Sequence, residues 1–258
     1  MKTKFTLLAA ALAGMFLFSA CDPTAFMEDI IDSNDGEMSV TTSNASGGQQ
    51  HYGTDAEVKF EAMLCDFEEG SGTLRFIGMA NKLTDNMRVS TNTYPIAGIT
   101  LKYSEEVHTY PVSSPLTDTA FLLHMDWSAL VTGDNENNMA LIAVGDEEFY
   151  IAASGSVYLD SLSVAGGQTT GTLQNVVMRY ITKGKIEHLR ALSDTIRMAV
   201  SDPVQYGAAG VRCGQELDAI RANMNSADSY FPCITFNGTY KAFRAPLSSY
   251  MNAINGIE

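Results

Sequence analysis

The sequence predicts a mainly β protein, an antiparallel β-sandwich or barrel-like domain with a smaller α+β region at the C-terminal end. Two observations carry this. Short runs that alternate polar and apolar residues recur between residues 55 and 182, separated by Gly, Asp and Asn turns. After Thr182 the apolar residues fall instead at three- and four-residue steps, the period of a helix face. The chain divides accordingly into residues 1–20, a leader; 21–54, an acidic tether; 55–182, the β-domain; and 183–258, the α+β region.

Taken in order, the Ser/Thr/Asn/Gly stretch 41–54 reads as a loop. Glu57-Val58-Lys59-Phe60-Glu61 alternates as a strand with one buried face, and Ala62 to Phe67 continues in the same style. Glu68 to Gly72 forms a turn, and Thr73 to Ile77 returns as its hairpin partner. Val89–Tyr94 and Ile99–Tyr103 read as strands broken by Pro95 and Gly98. Met139–Val144 and Glu148–Ala152 flank a tight Gly145-Asp146 turn. Ser156–Asp160 and Gly171–Ile181 flank Ala165-Gly166-Gly167. Ile186, Leu189, Leu192, Ile196 and Val200 then mark an amphipathic helix that ends before Pro203, with a second helix over Gln215–Met224. Asn237-Gly238, between Ile234-Thr235-Phe236 and Thr239-Tyr240-Lys241, reads as a type I′ hairpin turn.

The N-terminus carries the most specific signal. Lys2 and Lys4 precede an uncharged run from Leu7 to Phe18, too short for the ~20 residues that span a bilayer but suited to a secretory leader. Phe18-Ser19-Ala20-Cys21 closes it. This resembles the lipobox of a bacterial lipoprotein signal peptide, which implies that Cys21 is lipidated and becomes the mature N-terminus. The implied partner is then a membrane, held through a lipid anchor at the outer membrane on its surface or periplasmic face. The acidic segment 22–37 resembles the stretch that exports lipoproteins of the Bacteroidota to the cell surface. Asp118-Thr119-Ala120, Asp160-Ser161-Leu162 and Asp194-Thr195-Ile196 resemble the O-glycosylation acceptors of that phylum. Ser154 to Leu162, followed by Thr170-Gly171-Thr172-Leu173, is similar to a hairpin of small β-rich Bacteroidota lipoproteins of unknown function; Leu173 stands where those have an aromatic residue.

Composition limits the partners. Loss of Lys2 and Lys4 leaves 14 basic against 30 acidic side chains, a mature charge of about −16. That balance repels nucleic acid and anionic lipid surfaces, so neither is expected as a partner. Lipidation of Cys21 leaves Cys65, Cys213 and Cys233, which allow one bridge. Cys213 and Cys233 flank one short segment, and closing a loop of about 20 residues would contribute roughly 3 kcal/mol; the alternative leaves all three reduced.

No sequence motif for catalysis is present: no GxSxG, P-loop or GxGxxG after a strand. His51, His108, His124 and His188 share no metal-ligand spacing and read as surface or packing residues, so no metal or other cofactor is expected. Asp32–Glu37 and Asp134–Asn138 are acidic, but neither matches a calcium loop, and both read as solvated loops. Trp127 offers a stacking face for a sugar, a role second to core packing for a lone tryptophan in a β-domain. The reading is a non-catalytic module that binds a glycan or a protein partner. The alternatives are a fimbrillin-like structural subunit and a hydrolase whose residues are dispersed in sequence.

Overall fold

A computed structural model describes residues 36–80, 95–113, 138–145, 147–163, 167–223 and 230–244. Ten strands and two helices occur among them. The strands are β1 (Glu37–Ser46), β2 (Glu57–Phe60), β3 (Ala62–Glu68), β4 (Thr73–Met79), β5 (Ile96–Lys102), β6 (Thr109–Pro111), β7 (Met139–Ala143), β8 (Glu148–Ser161), β9 (Gln168–Thr182) and β10 (Cys233–Arg244). The helices are α1 (Lys183–Ser201) and α2 (Pro203–Ala222).

Seven strands close a barrel in the order β10, β3, β4, β5, β7, β8, β9 and back to β10. Every pairing in the ring is antiparallel except the seam, where Phe243 and Arg244 run parallel to Leu64 and Cys65. The hairpins expected from sequence form as β3–β4, β7–β8 and β8–β9. Local alternation decides these, because each strand's partner is its chain neighbour. The strand read over Val89–Tyr94 lies outside the described residues.

Two readings are corrected. The stretch 41–54 is not all loop, since β1 runs through Ser46 and pairs with β10 on one side and β2 on the other. The domain therefore begins inside the expected tether, with Met38 and Val40 fully buried. Asn237-Gly238 makes no turn: β10 is one continuous strand, and its register to β9 slips between Phe236 and Gly238. Asn175, at φ +50°, donates its N–H to Asn237 Oδ1 at 2.7 Å, so the asparagine pair fixes a bulge. Gly238 is needed because a Cβ there would lie 2.1 Å from the Ser39 carbonyl oxygen of β1. The C-terminal α+β region is continuous with the barrel, because β10 supplies its closing strand.

The alternation sorts side chains into two cores. Ala97, Ile99 and Leu101 of β5, Ala140 and Ile142 of β7, and Tyr150 and Ala152 of β8 point inward, where they join Met63, Phe76, Met178, Phe236 and Tyr240. Their neighbours Ile96, Met139, Ala143, Phe149, Ile151 and Ile181 point outward and are covered by Ile186, Leu189 and Leu192 of α1 and Leu217 and Ile220 of α2. At roughly 1.5–3 kcal/mol for each fully buried large side chain, both cores are needed for stability.

The helices are set by their caps. β9 runs directly into α1, with Thr182 Oγ1 accepting the Lys185 N–H. Asp202 closes α1 through its own N–H to Met198 O and opens α2 by accepting the Gln205 N–H, with Pro203 in the first turn. α2 thus starts well before Gln215. Its first half, Gly- and Ala-rich, lacks the apolar period that betrays a helix face.

Candidate functional site

Polar and aromatic groups from four separate elements converge at the barrel end where β8 and β10 begin and β9 finishes. The connection from β1 to β2, residues 47–56, bends over this end. Gly47, at φ +86°, passes so near the chain before β10 that a Cβ would lie 2.8 Å from Pro232 Cα. Thr42, buried on β1, fastens the far side of the loop: its hydroxyl donates to Gly53 O at 2.7 Å and accepts the Ala56 N–H at 2.8 Å. Gln50 Nε2 donates to Cys233 O at 3.2 Å.

These anchors place His51 and Tyr52 over the aromatic end of the inner core. His51 Nδ1 lies 3.2 Å from Glu148 Oε2, with the two side chains 43% and 40% exposed, so both are within reach of a ligand. A carboxylate beside Nδ1 favours a hydrogen on that nitrogen and leaves Nε2 as an acceptor. Glu148 also takes a hydrogen bond from the Tyr180 hydroxyl; burial, and then that bond, push Tyr180 above the ordinary tyrosine range. The Tyr52 N–H donates to Tyr150 Oη at 2.9 Å, and the two rings stack with centroids 5.4 Å apart. Phe236 meets both rings edge-on. Burial pushes Tyr150 up to about 12, so it stays a neutral phenol at physiological pH.

The accessible part is the half-buried Tyr52 ring with an imidazole and a carboxylate beside it, since Tyr150 and Phe236 are fully buried beneath it and Tyr180 is 7% exposed. It can hydrogen-bond hydroxyls and lie against an apolar face, the combination that suits sugar rings or a peptide. Ser46 Oγ and Cys233 Sγ lie 3.1 Å apart beside the same loop. Among the described residues, no three His, Cys, Asp or Glu side chains are grouped to hold a metal ion.

A second cluster pins the helices to the start of β10. His188 Nε2 lies 2.8 Å from Glu216 Oε1 across the α1–α2 interface. The Lys185 ammonium sits 5.2 Å from the Tyr230 ring centroid and donates to Tyr230 O, and burial pulls it below the usual lysine range. These contacts tie one helix to the other and both to the barrel.

The residues singled out from sequence fall elsewhere. Cys21 and Trp127 lie outside the described residues, as does most of the acidic loop at 134–138; Asn138 is described, and its side chain accepts the Lys102 N–H at 2.8 Å. The expected Cys213–Cys233 bridge is not formed, and both are free thiols, as is Cys65. Cys233 is held in the sheet opposite Ser46 and Arg179, whereas Cys213 packs from α2 against the outer core. Of the four histidines, His51 and His188 engage carboxylates rather than serving only as surface residues. The His51–Glu148 pair spans 97 positions of sequence, so no local motif announces it. No known protein family, characterised protein or solved structure matches the chain.

Proposed function

We propose that the protein is a lipid-anchored lipoprotein of the outer membrane whose barrel is a non-catalytic module binding a glycan or a protein partner. The anchor reading rests on the lipobox at Phe18–Cys21. The binding reading rests on one observation, the convergence of the exposed His51 and Glu148 with the half-buried Tyr52 at one end of the barrel. The barrel interior supports it indirectly, because Tyr150, Phe236, Met178 and their neighbours fill the ring and direct recognition to the outside. The test is binding of the mature protein to an immobilised glycan library and to envelope proteins, repeated with Tyr52→Ala and Glu148→Gln. Capture that weakens tenfold or more in both variants supports the site. Capture that both variants retain in full would place recognition elsewhere on the molecule.

The second reading, a fimbrillin-like structural subunit, draws on a different feature. β1 hydrogen-bonds to β10 outside the closed ring, so the barrel does not need it to close. Concentration-dependent filaments seen by electron microscopy would favour this reading over the first.

A further inference from the structure

At the candidate site the accessible polar atoms are acceptors. The Glu148 carboxylate accepts from His51 Nδ1 and from the Tyr180 hydroxyl, and among the described residues it has no Lys or Arg partner. Lys183, which follows its strand partner Thr182, has its ammonium 3.1 Å from Glu147 instead. A carboxylate offers about four acceptor sites, so two donors leave capacity on a side chain that is 40% exposed. His51 spends its Nδ1 hydrogen on Glu148, which leaves Nε2 as a second acceptor.

Tyr52 adds an aromatic surface beside them. One face of its ring lies on Tyr150, so what stays exposed is the side turned away from that residue. The His51 ring stands at 85° to it, with centroids 4.7 Å apart. The two rings therefore meet at a corner with a carboxylate beside it, not at a platform on which a sugar ring could lie flat. A sugar hydroxyl donates and accepts alike, whereas an ammonium or guanidinium group only donates. Such a cation matches the acceptors of Glu148 and His51, and the π face of a tyrosine attracts it as well.

We infer that this corner binds a lysine or arginine side chain of a protein partner, its cationic head on Glu148 and its methylene stem along Tyr52. The inference rests on the binding reading given above and narrows it to one ligand chemistry. A basic side chain lays its apolar stem on an aromatic surface while its head keeps to a polar edge. The mature charge of about −16 draws basic protein surfaces toward the molecule and repels acidic ones. An amino sugar carries the same cationic head on a rigid ring without a stem, and fits the corner less well.

The test uses the chain from residue 21 with Cys21→Ser, so that no lipid is attached, and three probes: acetyl-Gly-Lys-Gly-amide, its arginine counterpart, and the lysine peptide acetylated on Nζ. Binding at millimolar peptide is read from the His51 and Tyr52 ring signals by nuclear magnetic resonance. Both basic peptides are expected to shift these signals saturably, and acetylation to weaken binding about tenfold or more. Glu148→Gln should weaken the basic peptides about tenfold, and Tyr52→Leu about threefold. No saturable shift with either basic peptide, an equal response to the acetylated one, or undiminished binding by Glu148→Gln overturns the inference. Saturable binding of a chitosan oligosaccharide without a response to the basic peptides also overturns it, in favour of an amino sugar. The acetylation comparison needs no variant, so it stands even where a substitution perturbs the fold. The library capture described above reports the binding reading separately. Capture that Glu148→Gln and Tyr52→Ala both lose, without a peptide response, overturns the ligand class alone; capture that both variants retain in full overturns the site itself.

Discussion

Raising the pH from 8 to 10 should destabilise the parent protein more than its Cys65→Ala variant. Cys65 is fully buried on β3, facing the interior of the barrel. Burial pushes its thiol up from 9.0 to about 11, against the opposing pull of a Thr169 hydrogen bond and the Arg244 guanidinium. A thiol raised on folding contributes stability that is intact below its unfolded value and is lost as pH rises through its folded value. At pH 10 the unfolded thiol is about nine-tenths ionised, while the folded one stays about nine-tenths protonated. The tenfold difference in protonation is worth about 1.4 kcal/mol at that pH, nearly all of it lost above pH 8. Urea unfolding followed by circular dichroism at both pH values measures it. The variant starts less stable by the cavity it leaves, yet its stability should fall less between pH 8 and 10, by about 1.4 kcal/mol. Tyr52 and Tyr180, also raised by burial, lose stability in alkali in both proteins and cancel in the comparison. Tyr240, raised chiefly by burial and then by Cys65, stays a neutral phenol in both folded proteins over this range and cancels likewise. Equal falls in the two proteins would refute the placement of Cys65 inside a closed ring.

Two further predictions concern the backbone and the thiols. Gly238→Ala should cost more than about 3 kcal/mol or abolish folding, because the added carbon meets the Ser39 carbonyl and the Val40 Cα of a paired strand. Gly98→Ala, at a strand position open to space, should change the melting temperature little; equal effects in thermal melts would refute the close approach of β1 to β10. Thiol titration of the mature protein in denaturant without reductant should count Cys65, Cys213 and Cys233 as three reactive groups, and a count of one would establish the bridge that the structure does not form.

Legibility in the sequence followed the range of the interaction. The hairpins β3–β4 and β7–β8 could be read directly, because alternation and turn residues lie within one short window. The first half of α1 could be read from Ile186, Leu189 and Leu192, which share a buried face. β1 escaped because its inward set is only Met38, Val40 and Thr42 amid Ser, Thr and Asn, a composition that reads as loop until β10 is laid beside it. Asn237-Gly238 misled because the same two residues suit a tight turn and a bulge, and only the approach of Ser39 from elsewhere in the chain decides between them. The candidate site was hidden for the same reason. His51, Glu148 and Tyr180 belong to three segments, and nothing in any one of them signals the others.

The seam of the barrel bears on how the chain reaches this shape. β10 is the last strand among the described residues, yet β1, β3 and β9 all hydrogen-bond to it. Glu37 waits for Lys241, and Leu64 waits for Phe243. A chain emerging N-terminus first from a ribosome or a translocation pore therefore carries strand edges without their final partner until Cys233–Arg244 has emerged. Such high contact order makes for slow, late and cooperative closure. It also exposes β-edges to wrong pairing in the interval, a hazard that holding chaperones relieve. By the same logic, a chain cut before Cys233 loses not a C-terminal appendage but the ring itself.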